Sequence, residues 1–375
     1  MFYKNARIFC SDFQFRIGAF EVKDGRFGVI LPKEVPADAI DLEGATVIPG
    51  LIDAHIHGSV MADASDGNYE DLKREAAYLA ENGITGFAPT TMTLGYDTLN
   101  KAFRTARQLR DDAPEGCARV LGVHMEGPYF SYAKRGAQNA AYLKEPDFEG
   151  FQKLQQDNDY IVRIVDIAPE LPGAAEFVEK ASKLCTVSVA HTDSGYEDAK
   201  EAFSKGATHL THLFNAMSGI HHRNPGVIPA AVENPKVRAE LICDGLHVHP
   251  ATVRLAFSMF GSHRMLLISD ALRCCGMPDG AYELGGQMAH LAGGVAKLAD
   301  GTIAGAATNL YQGMINAIFF GVPEADAIRA ATYNPACALG VQDKVGSIAT
   351  GQLADFVVCR SDYTGKRVFI GGKEI

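Results

Sequence analysis

Eight short apolar runs recur along the chain, near residues 47–57, 84–91, 119–126, 161–168, 186–191, 207–213, 237–243 and 264–269. Amphipathic stretches at helical spacing lie between them, among them Tyr69 to Asn82, Tyr96 to Arg110, Ala174 to Leu184 and Gly195 to Lys205. Apolar runs of this length that do not alternate with polar residues read as strands buried on both faces, the kind that helices cover. A strand–helix rhythm of this kind predicts a (β/α)₈ barrel. A doubly wound open sheet competes with it, but no G-x-G-x-x-G follows the first run, and the barrel is preferred.

The two ends read differently. Arg7 to Cys10 and Phe27 to Leu31, broken at Asp24-Gly25, resemble short strands, as do Asp355 to Arg360 and Arg367 to Ile370 before Gly371-Gly372. They predict a small β-sandwich built from both termini, residues 1–46 with 345–375, beside a catalytic barrel over 47–344. Residues 301–323 carry no charge, but Gly305, Asn309, Gln312, Gly313 and Asn316 interrupt them, so a loop and a buried helix are expected there and not a membrane span.

With 375 residues, 47% hydrophobic and 21% charged, the chain has the balance of a soluble globular enzyme. Its net charge of −10 and the lack of a basic run argue against nucleic acid as a partner. An anionic substrate would have to be held by a few local cations. The eight cysteines form no short-loop framework, and Met1 to Asn5 lacks the charged and apolar regions of a signal peptide. Free thiols in the cytoplasm are the expectation.

Barrel enzymes place their chemistry at the carboxyl ends of the strands. Here the first run ends in His55-Ile56-His57, whose side chains share a strand face, and the third in Glu126 before Gly127-Pro128. The fifth ends in His191, the sixth in His212, the seventh runs into Asp244-Gly245-Leu246-His247, and the eighth ends in Asp270. A strand buried on both faces does not finish on an ionisable group unless that group is used or paired. Six of eight ends of metal-ligand or acid–base type therefore read as one divalent-metal site. His124 and His209 could be ligands or donors behind the ligands. Asp53 reads either as an orienting group or as a buried structural one, His263 and His290 as exposed loop residues, and Cys274-Cys275 as free thiols.

The motifs carry a further likeness. Pro49 to Gly58, His-Met-Glu-Gly-Pro-Tyr at 124–129, Ala-His-Thr-Asp at 190–193 and Thr-His-Leu-Phe-Asn-Ala-Met at 211–217 resemble the N-acetylglucosamine-6-phosphate deacetylase family. So do His-His-Arg-Asn-Pro-Gly at 221–226, Asp-Gly-Leu-His-Val at 244–248 and Ser-Asp-Ala at 269–271. Gly346-Ser347-Ile348 with Gly351 to Asp355 resembles the tail of the wider amidohydrolase superfamily.

The resemblance implies hydrolysis of N-acetyl-D-glucosamine 6-phosphate to D-glucosamine 6-phosphate and acetate. Glu126, His191 and His212 would hold the principal divalent metal (Zn²⁺ or Fe²⁺), and His55 with His57 would allow a second ion bridged by Glu126. Asp270 would be general base and then acid, with a metal-activated water as nucleophile. His247 would polarise the acetyl carbonyl. Substrate contacts would come from Ala137, Gln138, Asn215, Ala216, Asp244 and His247, from Arg223 at the phosphate, and from the Ile303-Ala304-Gly305 backbone. A homodimer is also implied. Two positions depart from the family pattern: Gln138 stands where histidine is common, and Asn224 replaces an acid beside Arg223. Competing readings are an N-acetylgalactosamine-6-phosphate or N-acyl amino acid deacylase, and a metal-free scaffold, which should have lost ligands. A dihydroorotase-like enzyme would need a strand-end lysine, which has no counterpart here.

Overall fold

The computed structural model describes residues 1–284 and 286–375. Eight parallel strands follow one another in sequence order around a barrel: Leu51–Ile56, Ile84–Thr91, Val123–Tyr129, Val162–Ile167, Thr186–Val189, His209–Leu210, Arg238–Ile242 and Met265–Ile268. The first and last strands form no continuous ladder. They meet through the backbone N–H of Asp270, which donates to the His55 carbonyl at 3.0 Å, and through the N–H of Ser269, which donates to Asp53 Oδ1 at 3.2 Å. The carboxylate of Asp53 is thus a structural fastener of the barrel, and burial pushes its pKa up to about 7.

Helices cover the barrel as the amphipathic spacing predicts. Tyr69–Glu81 begins at Asn68, whose side chain accepts from the N–H groups of Glu70 and Asp71, and it buries Leu72, Ala76, Leu79 and Ala80 against the strands. Tyr96–Asp112, Phe148–Asp157, Ala174–Ala181, Tyr196–Lys205, Val227–Glu233, Pro250–Phe260 and Leu310–Phe319 repeat the plan. Ile52, Ala54, Ala88, Ile164 and Leu266 form an apolar plug with Ala336, Leu339 and Val341. Along the first strand His55 and His57 follow that plug toward the carboxyl end. The barrel is therefore filled below and polar only at one mouth.

Strands from both termini share one eight-stranded sheet. Phe20 and Phe27 touch Phe356 at ring separations of 5.3 and 5.8 Å, although other strands separate them in the hydrogen-bonded order. The sheet therefore folds across itself around an aromatic core that includes Tyr3 and Phe369, and this is how the expected sandwich is built.

Three expectations need correction. The apolar run 47–57 is two strands: Thr46–Pro49 pairs with Phe356–Cys359 in the terminal sheet, and Leu51–Ile56 starts the barrel. Continuous hydrophobicity concealed the break because both halves are buried. Second, Gly280–Leu284, Gln287–Ala292, Val295–Leu298 and Ile303–Ala306 form an antiparallel four-stranded sheet after the eighth barrel strand. His290 is therefore on a strand, though exposed, and the uncharged segment 301–323 starts with a strand before its helix. Third, the strand carrying Glu126 runs on through Gly127-Pro128 to Tyr129. Among the described residues, no helix is long and apolar enough to cross a membrane.

Gly50 is the joint between the two sheets. A Cβ there would lie 2.1 Å from Thr85 Oγ1 and 2.7 Å from Thr85 Cβ. Gly50→Ala should therefore overpack the junction and cost about 1–3 kcal/mol. Urea denaturation measures this as a lower midpoint. An unchanged midpoint would mean that Thr85 can move aside freely.

Candidate active site

The strand ends deliver their side chains to one place. His191 Nε2 and His212 Nε2 each lie 3.1 Å from Glu126 Oε1 and 3.1 Å from one another. His57 Nε2 is 3.3 Å from Glu126 Oε2, and His55 Nε2 is 3.6 Å from Oε1. Asp270 Oδ1 closes the group, 3.4 Å from His57 Nε2 and 3.5 Å from His55 Nε2. His191, His212 and Asp270 adopt left-handed backbone angles, with φ of 44°, 30° and 49°. Non-glycine residues take that conformation at a cost, and here it turns each side chain into the mouth at the point where the strand ends.

The far side of each ring decides what faces the site. His191 Nδ1 meets the Lys134 carbonyl at 2.9 Å, and His57 Nδ1 meets the Thr90 carbonyl at 3.2 Å. A carbonyl only accepts, so in the neutral ring the hydrogen sits on Nδ1 and the Nε2 lone pair points inward. His55 Nδ1 is held likewise by Glu240 Oε2 at 3.0 Å. Lone pairs of several imidazoles aimed at carboxylate oxygens form a donor set that lacks a positive charge.

The electrostatics agree. Burial opposes ionisation of Glu126, but hydrogen bonds from His191, His212 and His57 outweigh it and hold the carboxyl well below its usual range. Asp270 is also buried, yet His57, His55 and His212 keep it below the ordinary carboxylate value. Burial works against a charged His57 and His212, but Glu126 and Asp270 raise His57 well above the usual imidazole value, and Glu126 foremost raises His212 to about 9. A field that loads histidines with protons also attracts a metal cation. Glu126, His191 and His212 bring ligand atoms within 4.8 Å of one another, as do His55, His57 and Glu126. Imidazole nitrogen with carboxylate oxygen suits Zn²⁺ or Fe²⁺.

A third group, His55, His124 and Glu240, lies deeper in the barrel and satisfies itself through hydrogen bonds. Glu240 accepts from His55 Nδ1 and His209 Nε2 at 3.0 Å each and from the His212 N–H at 3.2 Å. Asp166 receives His124 Nε2 at 2.9 Å and the Thr211 hydroxyl at 3.0 Å. His124 and His209 are thus held behind the site. Glu240 and Asp166 escaped the sequence reading because they sit inside strands and not at their ends. The signal was present: each is a lone carboxylate within an apolar run.

A pocket of about 180 Å³ opens over the cluster. Ala137, Gln138, Asn215, Ala216, His247, Ile303 and Ala304 line it with the cluster itself, and Met92, Gly136 and Thr302 join them. Other expected contacts fall elsewhere. Asp244 turns its carboxylate to His247 Nδ1 at 2.6 Å and does not line the pocket. Gly305 is buried behind it, where a Cβ would lie 3.0 Å from the Asp270 carbonyl oxygen. Asn215 does line the pocket, with its Nδ2 donating to the His212 and Leu213 carbonyls. Arg223 is exposed on a turn outside the pocket, where its guanidinium meets His222 at 2.8 Å.

Residues 46–375 match the family model described as the amidohydrolase family. The chain is 36% identical over 353 residues to an N-acetylglucosamine-6-phosphate deacetylase of Bacillus subtilis, covering 92% of this chain and 89% of that relative. It is 32% identical to an N-acetylgalactosamine-6-phosphate deacetylase of Escherichia coli O157:H7, covering 94% and 93%. A solved structure of N-acetyl-D-glucosamine-6-phosphate deacetylase from Mycobacterium smegmatis, a mutant in complex with N-acetyl-D-glucosamine-6-phosphate, superposes with a TM-score of 0.93 at 31% identity, covering 100% of this chain and 98% of that one.

The donor set makes metal content the first thing to measure. His191→Ala and His212→Ala should each lose the tightly held divalent ion, read as metal per chain by elemental analysis. His55→Ala should leave that ion in place and lower the content only if a second ion is bound. Full metal content in the His191 and His212 variants would remove Glu126, His191 and His212 as its holders.

Proposed function

Because the chain belongs to the amidohydrolase family, among the N-acetylglucosamine-6-phosphate deacetylases, we propose that it hydrolyses N-acetyl-D-glucosamine 6-phosphate to D-glucosamine 6-phosphate and acetate. The observation that carries this reading is the meeting of Glu126, His191 and His212 beside Asp270 at one barrel mouth. Glu126, His191 and His212 would hold a divalent cation, and His55 with His57 would accept a second. Such a cation supplies a water acidified from a pKa of about 15.7 to about 7 and a positive charge near the acetyl oxygen.

The chain's own residues would do the rest. Asp270, kept ionised by the histidines around it, takes a proton from the attacking water at Oδ1. It then returns that proton to the amine, which leaves poorly unless protonated. His247 is half-buried, and burial disfavours its charge, but Asp244 prevails and raises its pKa. When the ring is protonated, both of its nitrogens carry hydrogen. Nδ1–H stays on Asp244, and Nε2–H can donate to the acetyl oxygen as negative charge develops there. Ala137, Asn215, Ala216, Ile303 and Ala304 would line the sugar.

Arg223 remains our proposed phosphate anchor. Its exposed guanidinium meets His222, and its positive charge is available to an anion in a chain of net charge −10. A galacto-configured substrate is the second reading, favoured by the 32% identity to the Escherichia coli relative. We also propose a homodimer, supported by the large apolar side chains of Phe319, Leu255 and Leu246, which are 87%, 51% and 47% exposed. A cytoplasmic location fits the eight free cysteines. We further propose that residues 1–46 with 345–375, and 47–344, act as two units whose first joint lies at Gly50.

The direct test is acetate release from N-acetylglucosamine, N-acetylgalactosamine and their 6-phosphates in the presence of Zn²⁺ or Fe²⁺. The 6-phospho-gluco substrate should be preferred, and Asp270→Asn should keep its metal while losing roughly 10²–10⁴-fold in kcat. A loss below about tenfold with metal intact would place the proton transfer on another group.

For the phosphate, the informative quantity is a ratio. Arg223→Ala should lower kcat/KM for the phosphorylated substrate by roughly 10–150-fold, equivalent to about 1.5–3 kcal/mol for one charge-assisted contact, and largely spare unphosphorylated N-acetylglucosamine. Equal losses on both would mean that the phosphate is held by something else.

A further inference from the structure

Gln138, in the loop after the third barrel strand, is only 4% exposed. Its amide is oriented by two partners that leave no choice. Gln138 Oε1 accepts the backbone N–H of Thr93 at 2.8 Å, and a backbone N–H can only donate. The NH₂ end must then face Glu126, and Gln138 Nε2 donates to Glu126 Oε2. Glu126 uses its other oxygen, Oε1, for His191 and His212. The loop carrying Gln138 is itself tied from outside, because Gln287 of the four-stranded sheet donates to the Ala137 carbonyl at 2.7 Å.

We infer that Gln138 is a positioning residue that locks the Glu126 carboxylate for metal binding, and not a sugar contact. The inference rests on Glu126, His191 and His212 being the metal holders. The last torsion of a glutamate is broad and nearly two-fold, so the Cβ–Cγ chain alone does not decide where each oxygen points. A donor on Oε2 does decide it: a charge-assisted hydrogen bond fixes the carboxylate plane and leaves Oε1 directed between His191 and His212. Thr93 fixes the amide that fixes the carboxylate. One hydrogen bond at each end of Gln138 fixes the plane of its amide, so its orientation is set by Thr93 and Glu126 before any sugar arrives.

The experiment compares metal affinity with substrate affinity in the full chain. Gln138→Met keeps the length and removes both polar ends. Its Zn²⁺ Kd, measured by chelator competition on metal-free protein, should weaken by about 10–100-fold, the usual effect of losing a group that orients a ligand. KM for N-acetylglucosamine 6-phosphate at saturating Zn²⁺ should stay close to that of the unaltered protein, and so should the thermal unfolding of the metal-free protein. Should Gln138→Met not fold, Gln138→Asn, which is too short to span Thr93 and Glu126, should loosen Zn²⁺ in the same way. An unchanged Zn²⁺ Kd overturns the inference whatever happens to KM, and a raised KM beside it would return Gln138 to the sugar. Unaltered protein that binds neither Zn²⁺ nor Fe²⁺ would overturn the metal reading itself, and this inference with it.

Discussion

The Glu126 carboxylate, almost fully removed from water at the end of the third barrel strand, sets the terms for the rest of the mouth. Burying an unpaired carboxylate costs several kcal/mol, more than most single side chains can return. The fold answers with His191 and His212 on one oxygen and His57 and Gln138 on the other. Asp270 adds a second buried carboxylate a hydrogen-bond length further on. Two negative charges in so small a space demand positive charge, as protons on the imidazoles or as a metal ion. The same demand that makes the site expensive to fold makes it a cation site.

Below this layer lies a second one that holds the first in place. Glu240 links the ring of His55 to that of His209 and also accepts the backbone N–H of His212, so one carboxylate fixes a ring from the first strand and the turn after the sixth. Asp166 steadies His124 and Thr211 in the same way. Beneath them the apolar plug of Ile52, Ala88, Ile164 and Leu266 keeps water out. Exclusion of water strengthens each of these electrostatic contacts, because charge is poorly screened in a dry interior. The left-handed turns at His191, His212 and Asp270 are sustained by this surrounding order.

The antiparallel sheet over 280–306 stands in a different relation to the site. It enters the chain after the last barrel strand and returns Ile303 and Ala304 to the pocket wall. Ala306 bridges to Ala271, next to Asp270, and Gln287 reaches the loop before Gln138. One insertion therefore touches both the neighbour of Asp270 and the loop that carries Gln138.

The barrel and the histidines at its mouth were legible in the chain because their causes are local. Buried parallel strands must be apolar, so eight runs stood out, and an ionisable residue that ends such a run is conspicuous. His55, His57, Glu126, His191, His212 and Asp270 were all marked in this way. What the linear pattern concealed had non-local causes. The run at 47–57 looked like one strand because Thr46–Pro49 and Leu51–Ile56 are both buried, though in different sheets, and hydrophobicity does not say against what. Glu240 and Asp166 lie inside strands, and their use depends on histidines that arrive from distant strands. The partners of Gln138, Thr93 and Glu126, lie far from it in sequence and were not legible there. Asp244 and Arg223 stood out by residue type alone, and only the folded chain shows their partners, His247 for the first and His222 on an outer turn for the second. Residue type and local pattern determine which groups must be buried and which can bind a metal. Which atom of each group faces which partner is decided only when strands far apart in sequence are brought within hydrogen-bonding distance.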